Sequence, residues 1–176
     1  MTQITPIPAV ATFSPAMKGL HWTVAILVLI MFYGGFTLSK ETATLHFGTG
    51  LVVLVAMAVW LAVRANTVRP PYPAAITHWH IMAAKLTHRG LYTCVTLQPL
   101  FGLLAVSTSK GEPTAYGVIP LKIVRNDTVH EIGEVLHGVN AWILVALVTF
   151  HVLGALYHRF ITRDNVMQRM LPFGKA

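Results

Sequence analysis

The stretch that decides the fold is residues 130–158, which read HEIGEVLHGVNAWILVALVTFHVLGALYH. From Leu136 to Tyr157 this stretch is predominantly apolar, and its length matches the roughly 20 residues of a membrane-spanning helix. Its four histidines are separated by multiples of seven residues. Seven residues fall only about 20° short of two full helical turns, so histidines spaced in this way share one face. The stretch therefore predicts a spanning helix with a histidine stripe, provided that the helix extends back to His130.

Three further apolar runs complete the pattern, and together the four runs predict spans at about 20–38, 46–63, 84–107 and 134–158. The chain is 55% hydrophobic and only 11% charged, whereas a soluble domain carries about 25% charged residues. Helices satisfy their own backbone hydrogen bonds in lipid, and isolated strands do not. We therefore expect one all-α domain over residues 1–176, an integral membrane four-helix bundle.

The segments between the spans predict two smaller features. Residues 69–73 read RPPYP, which predicts an extended connector. The stretch from Thr77 to Lys85 predicts a short interfacial helix between spans two and three, with Trp79 at the headgroup level. Residues 107–128 are polar and rich in glycine and proline, which predicts a loop that caps one end of the bundle.

The basic residues give the orientation. With the N-terminus in the cytoplasm, nine of the 13 lysines and arginines lie inside and four lie outside, which favours both termini inside. The inner nine are Lys18, Arg64, Arg69, Lys85, Arg89, Arg159, Arg163, Arg169 and Lys175, and the outer four are Lys40, Lys110, Lys122 and Arg125. The net charge of +7 is therefore a topology signal, and we do not expect nucleic acid as a partner.

The nine histidines are the candidate functional residues, because histidine in a membrane is costly unless it has a task or a partner. At the outer level, His46 of span two is matched in depth with His137 of span four. At the inner level, His21 of span one lies between the depths of His151 and His158, so helix geometry prefers His151 only weakly. His137 and His151 are about 21 Å apart along a helix.

Two separated histidine pairs favour one class of metal centre over another. A structural zinc site needs four ligands close together, usually with cysteine among them. The only cysteine, Cys94, falls inside an apolar run. Two axial imidazoles at each of two levels suit a metal whose equatorial positions are already filled, which is haem iron. A haem-free protein that handles metal ions is the alternative.

An ordered set of motifs resembles the bacterial cytochrome b561 family of di-haem membrane proteins, over nearly the whole chain from Met17. The residues are His21-Trp22; His46, Gly50 and Arg64; His88, Tyr92, Pro99 and Gly102; His137, His151 and His158; and then Arg163-Asp164-Asn165 and Met170-Leu171-Pro172. The family resemblance implies a multi-pass protein of the bacterial inner (cytoplasmic) membrane that transfers electrons.

The same resemblance implies residue roles. Two haem b groups are expected, an inner one ligated by His21 and His151 and an outer one ligated by His46 and His137. His88 and His158 match family positions of a quinone site, with ubiquinone the expected acceptor. Arg64 and Arg159 are candidates for haem propionates, and each equally suits a positive-inside anchor. His78 and His80 match no family role, and His130 is interpreted as a surface residue, with a proton relay or an alternative ligand left open.

Two electron donors are compatible with this reading. The leading hypothesis is superoxide, which is oxidised to oxygen while a quinone is reduced, as in members of the family that resemble this chain. Lys110, Lys122 and Arg125 would attract the small anion, although nearby acidic residues offset them. The second hypothesis is an electron relay for a periplasmic redox protein that docks on the loop of residues 107–128.

Overall fold

Four long helices cross back and forth through the molecule. The computed structural model describes residues 12–72 and 76–172. The helices are α1 (Pro15–Phe36), α2 (Ala43–Ala65), α3 (His78–Ser107) and α4 (Asp127–Tyr157), and α4 continues into a π turn at His158–Thr162. Each is long and apolar enough to cross a membrane. The predicted four-helix membrane fold is confirmed.

Helices α1 and α4 each follow a residue whose side chain caps a free N–H group. The Ser14 side chain accepts a hydrogen bond from the Met17 amide, and Pro15 occupies the first turn of α1. In the same way, the Asn126 side chain accepts from the Val129 amide at the start of α4. Because α4 begins at Asp127, the helix includes His130, and the condition for a continuous histidine stripe is met.

The expected interfacial helix between spans two and three does not exist as a separate element. Residues 78–85 are the first turns of α3, a single helix of 30 residues. The reason is local: between Thr77 and Gly90 the sequence has no proline or glycine that would interrupt helical hydrogen bonding. A 30-residue helix is about 45 Å long, which exceeds the roughly 30 Å of hydrocarbon, so its exposed N-terminal turns with Trp79 still reach the headgroup level.

Small residues bring α3 and α4 into close contact, and apolar side chains cover the outside. A Cβ atom added at Gly133 of α4 would lie 2.7 Å from the backbone nitrogen of Ala105 in α3, so these backbones touch. Large apolar side chains on the outward faces are exposed, for example Leu29, Val55 and Phe150. This arrangement is typical of a bundle in lipid, because packing of small residues rather than apolar burial holds membrane helices together.

The segment between α3 and α4 folds over one end of the bundle, as predicted. Its two short strands, Thr114–Ala115 and Ile119–Pro120, form an antiparallel hairpin. The Tyr116 amide donates to the Thr44 carbonyl at the start of α2, and the Tyr116 ring covers Gly48. We call this end, with the connector 37–42, the outer end.

The other end of the bundle, which we call the inner end, brings together the first described residues, the connector after α2 and the segment after α4. The Phe13 amide donates to the Arg169 carbonyl, and the Arg169 guanidinium donates to the Pro71 carbonyl. The Trp22 indole N–H donates to the Met170 carbonyl. Residues 69–72 of the predicted extended connector have no regular secondary structure, whereas Pro73 and Lys175 lie outside the described residues.

Candidate functional site

The structure brings the two histidines expected at the outer level together. The His46 ring on α2 faces the His137 ring on α4, with centroids 6.2 Å apart. The His137 Nδ1 atom lies 3.0 Å from the Gln98 carbonyl, to which it can only donate. This contact sets the tautomer of His137 and leaves its Nε2 atom with the free lone pair that binds a metal.

A cavity of about 550 Å³ surrounds the outer pair. This volume falls within the range of ligand pockets, about 300–1,000 Å³. Each of the four helices contributes one glycine to its wall, namely Gly35, Gly50, Gly102 and Gly138. Glycines leave the walls flat where side chains would otherwise fill the space, which suits a large planar ligand beside the two imidazoles.

A second pair of histidines lies toward the inner end. The His21 ring on α1 and the His151 ring on α4 have centroids 6.0 Å apart. His88 of α3 also touches His151, at 5.2 Å. His158 lies elsewhere, with its ring 5.4 Å from that of His80. Of the two inner histidines of α4 that the sequence left open, the structure therefore places His151 beside His21.

The separations in the two pairs match axial coordination of one metal. A metal–imidazole nitrogen bond is about 2 Å long and the ring centre lies about 1 Å behind that nitrogen, so two axial imidazoles have centroids about 6 Å apart. The pairs at 6.0 and 6.2 Å meet this requirement. Within residues 12–72 and 76–172, no group of three or more His, Cys, Asp or Glu side chains is arranged around a metal ion. The donor sets therefore fit haem iron better than zinc.

The environment of His158 is a feature that the sequence reading missed. The His158 Nδ1 atom donates to the Asp164 carboxylate at 2.6 Å, and the Thr162 hydroxyl donates to the same oxygen at 2.7 Å. The chain reverses to make these contacts through the π turn and through Arg163, whose φ is 52°. The sequence contains a signal for the neighbouring contact of His158 with His80. Because α3 and α4 are antiparallel, a third span that begins at His78 places His80 at the depth of His158.

The contacts of Asp164 determine its charge. Partial burial raises the pKa of this carboxyl group, but the hydrogen bonds from His158, the Val166 amide and Thr162 outweigh that effect, so the pKa lies below its usual value of 3.8. The carboxylate is therefore ionised at neutral pH and holds the His158 ring in one orientation.

The two arginines that the sequence suggested for propionates lie in different settings. The Arg64 guanidinium is half-buried, 4.5 Å from the centroid of the Tyr92 ring and 5.3 Å from that of Trp60. The Tyr92 ring in turn stacks on His88, with centroids 6.1 Å apart. Arg159 is exposed on the surface beside Phe160. Its setting suits a positive-inside anchor, whereas Arg64 faces the bundle interior.

Three of the four basic residues that the sequence assigns to the outer end are paired with acids. Lys122 binds Glu112 at 2.6 Å, and Arg125 and Lys110 both bind Asp127, at 3.2 and 3.5 Å. These pairs reduce the field that would attract a small anion. His130 is not simply a surface residue, because its Nδ1 donates to the Ala105 carbonyl at 2.8 Å and its side chain lines the outer cavity.

The fold and the site define a class: a four-helix membrane protein with histidine pairs at two depths. A family model agrees over residues 12–173, and the chain belongs to the prokaryotic cytochrome b561 family. Membership implies haem b binding and makes the chain a multi-pass bacterial membrane protein of electron transfer.

Similar proteins match along nearly their whole length. Cytochrome b561 homolog 1 of Escherichia coli K12 is 29% identical, over 91% of this chain and 97% of the relative. Cytochrome b561 homolog 2 of the same organism is also 29% identical, over 86% of each chain. A protein of Yersinia pestis named as a probable superoxide oxidase, CybB, is 24% identical, over 91% of this chain and 96% of the relative.

Proposed function

We propose that this chain transfers electrons between a donor at its outer end and a quinone at its inner end, through two haem b groups in the bacterial inner membrane. The observation that supports the proposal best is the pair of ring separations, 6.2 Å for His46–His137 and 6.0 Å for His21–His151, at two depths of one bundle. Haem iron held by two imidazoles exchanges single electrons and has no open position for direct substrate binding.

The chain's own residues position the two centres. His137 is oriented by the Gln98 carbonyl, and the glycines of the outer cavity leave a flat space beside it. His21 and His151 come from the first and last helices, so a haem held by this pair would join α1 to α4. Arg64 lies inside the bundle near His88 and is the better placed of the two arginines that we propose for propionates.

The inner end offers histidines for the quinone. We propose that His88 and His158 bind the quinone, with ubiquinone the expected acceptor. Asp164 holds the Nδ1 proton of His158, which leaves Nε2 able to exchange a proton with a quinone oxygen. His80 packs against His158 and extends this polar cluster toward the inner surface. Reduction of a quinone takes up two electrons and two protons, and the protons are supplied at this end.

Superoxide is the donor that we propose first. Two superoxide anions each give up one electron and leave as oxygen, and the two electrons with two protons convert one quinone to quinol. The support is the similarity to the Yersinia pestis protein, a probable superoxide oxidase that is 24% identical. The ion pairs of Lys110, Lys122 and Arg125 weaken the anion-attracting role that the sequence suggested for these residues.

An electron relay for a periplasmic redox protein is the second candidate. The outer cap presents large exposed apolar side chains, among them Val118 and Ile123, at 77% and 81% exposure. An apolar surface of this kind suits a docking protein. In this version the docked protein would supply the electrons to a haem held by His46 and His137, and superoxide has no role.

Haem content and rapid mixing test the proposal. Purified protein should contain two haems per chain, and His137→Ala and His151→Ala should each lose one, because each removes one axial ligand. His78→Ala is the matched control, since His78 is exposed at the start of α3 and should retain both haems. Retention of two haems in both ligand variants would refute the two-centre proposal. Failure of superoxide to reduce the haems would leave the relay as the function.

A further inference from the structure

Arg169 is a buried arginine at the inner end of the bundle. It is 8% exposed and lies in the short turn Met167–Arg169 that follows α4. Three contacts fix this turn. The Arg169 carbonyl accepts from the Phe13 amide at 3.3 Å, and the Arg169 Nη1 donates to the Pro71 carbonyl at 2.6 Å. The Met170 carbonyl accepts from the Trp22 indole N–H. The side chain therefore lies across the inner end of the bundle and does not extend into water.

The charge of Arg169 is not neutralised by the part of the chain that the structure describes. Its Nε atom is buried and has no hydrogen-bond partner there. The ion pairs found among residues 12–72 and 76–172 do not include Arg169, and the acceptor that it does bind, the Pro71 carbonyl, is neutral. A buried guanidinium without an anion costs several kcal/mol, so this position favours the binding of an anion.

The acidic residues of the chain are in the wrong places to supply that anion. Of the six in the sequence, five lie at the outer end: Glu41, Glu112, Asp127, Glu131 and Glu134. The sixth, Asp164, is at the inner end, but His158, Thr162 and the Val166 amide already bind its carboxylate. Lipid phosphates reach exposed side chains at the rim, whereas Arg169 is covered by its own segment. Among the acidic side chains of residues 12–72 and 76–172, none is therefore free to pair with Arg169, which leaves a bound ligand as a source of the anion.

We propose that Arg169 binds a propionate carboxylate of the haem that His21 and His151 hold, an assignment that rests on the proposed function. The Trp22 ring, whose indole N–H holds the Met170 carbonyl, lies 5.6 Å from the His21 ring, so the turn is attached beside the inner pair. The Nε and Nη donors of a guanidinium form a fork that matches a carboxylate. Arg169 also holds the segment after α4 against the connector after α2, so binding of the carboxylate would fix both segments at the inner end of the bundle.

Redox titration of Arg169→Met tests the assignment. Removal of a positive charge beside the inner haem favours its ferric form. We therefore expect its midpoint potential to fall by at least about 59 mV, which corresponds to a tenfold change in the redox equilibrium. The outer haem should keep its potential. A His137→Ala background, which retains only the inner haem, assigns the signal. Arg163→Met is the matched control, because Arg163 is exposed on the same segment.

Reconstitution with a modified haem gives a second measurement if Arg169→Met does not accumulate. Arg169→Lys keeps the charge but loses the fork, so haem should dissociate from it faster than from wild type. With haem dimethyl ester, which lacks the carboxylates, wild type and Arg169→Lys should release the ligand at the same rate. Unchanged potentials in Arg169→Met would overturn the assignment alone. The same holds if wild type and Arg169→Lys differ as much in their release of the ester as in their release of haem. Absence of haem from the wild-type protein would overturn both this assignment and the proposed function.

Discussion

The four ligand candidates differ in how firmly the protein holds their imidazole rings. His137 donates its Nδ1 proton to the Gln98 carbonyl, so the ring arrives with its Nε2 lone pair already aimed. His46 has a buried Nδ1 without a partner in the described part of the chain, and that atom faces Gly34. The outer site therefore combines one preoriented ring with one ring that can adjust to the metal.

Asn140 supports His137 from the next turn of α4. It is 6% exposed, and its amide donates to the Cys94 carbonyl at 2.9 Å and to the Gln98 side chain at 2.6 Å. Gln98 in turn donates to the His137 carbonyl. Donors from α4 thus bind the Cys94 and Gln98 carbonyls in the turn of α3 that precedes Pro99, where the missing proline N–H interrupts the hydrogen bonding of the helix.

Asn140→Leu should destabilise the bundle and change the outer centre. Loss of the amide leaves buried acceptors unpaired, so we expect a loss of about 1–2 kcal/mol in the free energy of unfolding. The outer haem should also bind less tightly, because Gln98 no longer fixes the segment that orients His137. Detergent unfolding followed by the Soret band measures both effects. Thr149→Val is the control, since Thr149 is exposed and bonds only within its helix; equal losses in both variants would contradict the network.

At the scale of elements, the close approach of α3 and α4 depends on Gly133. A Cβ atom there would meet the backbone of Ala105 at 2.7 Å, and backbone cannot move aside as a side chain can. Gly133→Ala should therefore push the helices apart at the outer end, at a cost of about 1–3 kcal/mol, and loosen the outer haem more than the inner one. Unfolding and haem-release rates measure this. Gly154→Ala, which meets nothing within 4 Å, should have little effect.

The segment after α4 should respond to acid through Asp164. The pKa of this carboxyl group lies below 3.8, so its contribution to stability is complete above 3.8 and is lost as the pH falls through the lowered value. We expect the segment to undock in that acidic range, which limited proteolysis detects, with pepsin in acid and trypsin at neutral pH. Asp164→Asn should undock the segment at neutral pH and remove the acid transition. Glu131→Gln, an exposed acid of α4, is the control; an unchanged transition in Asp164→Asn would assign the transition to another group.

The elements show what the sequence can and cannot predict. The spans and the stripe on α4 follow from apolar length and from the spacing of seven, which are local properties. The contact of His158 with Asp164 depends on a chain reversal through a π turn, and that of Arg169 with Pro71 joins residues 98 positions apart. No periodicity marks such contacts. The prediction of a separate interfacial helix from Thr77 to Lys85 is wrong, because charge and aromatic content do not reveal whether a helix continues into the next span.

For the whole molecule, the charges are divided between the two ends. The inner end holds most of the basic residues and a single acid, Asp164, whereas at the outer end Lys110, Lys122 and Arg125 are paired with acids. Excess positive charge at one end favours retention of that end in the cytoplasm. The same excess favours carboxylate ligands inside the bundle, because the chain itself provides few.

Cysteine labelling tests the orientation on which the direction of the proposed electron transfer depends. In a Cys94→Ala background, Lys40→Cys places a thiol in the connector between α1 and α2, and Lys85→Cys places one near the start of α3; both lysines are exposed. A membrane-impermeant maleimide applied to spheroplasts should label the first variant and not the second, because the excess of basic residues predicts that the inner end faces the cytoplasm. A permeant maleimide should label both. The reverse labelling pattern would put the quinone histidines at the periplasmic face and the outer cavity in the cytoplasm, where a periplasmic donor could not reach it.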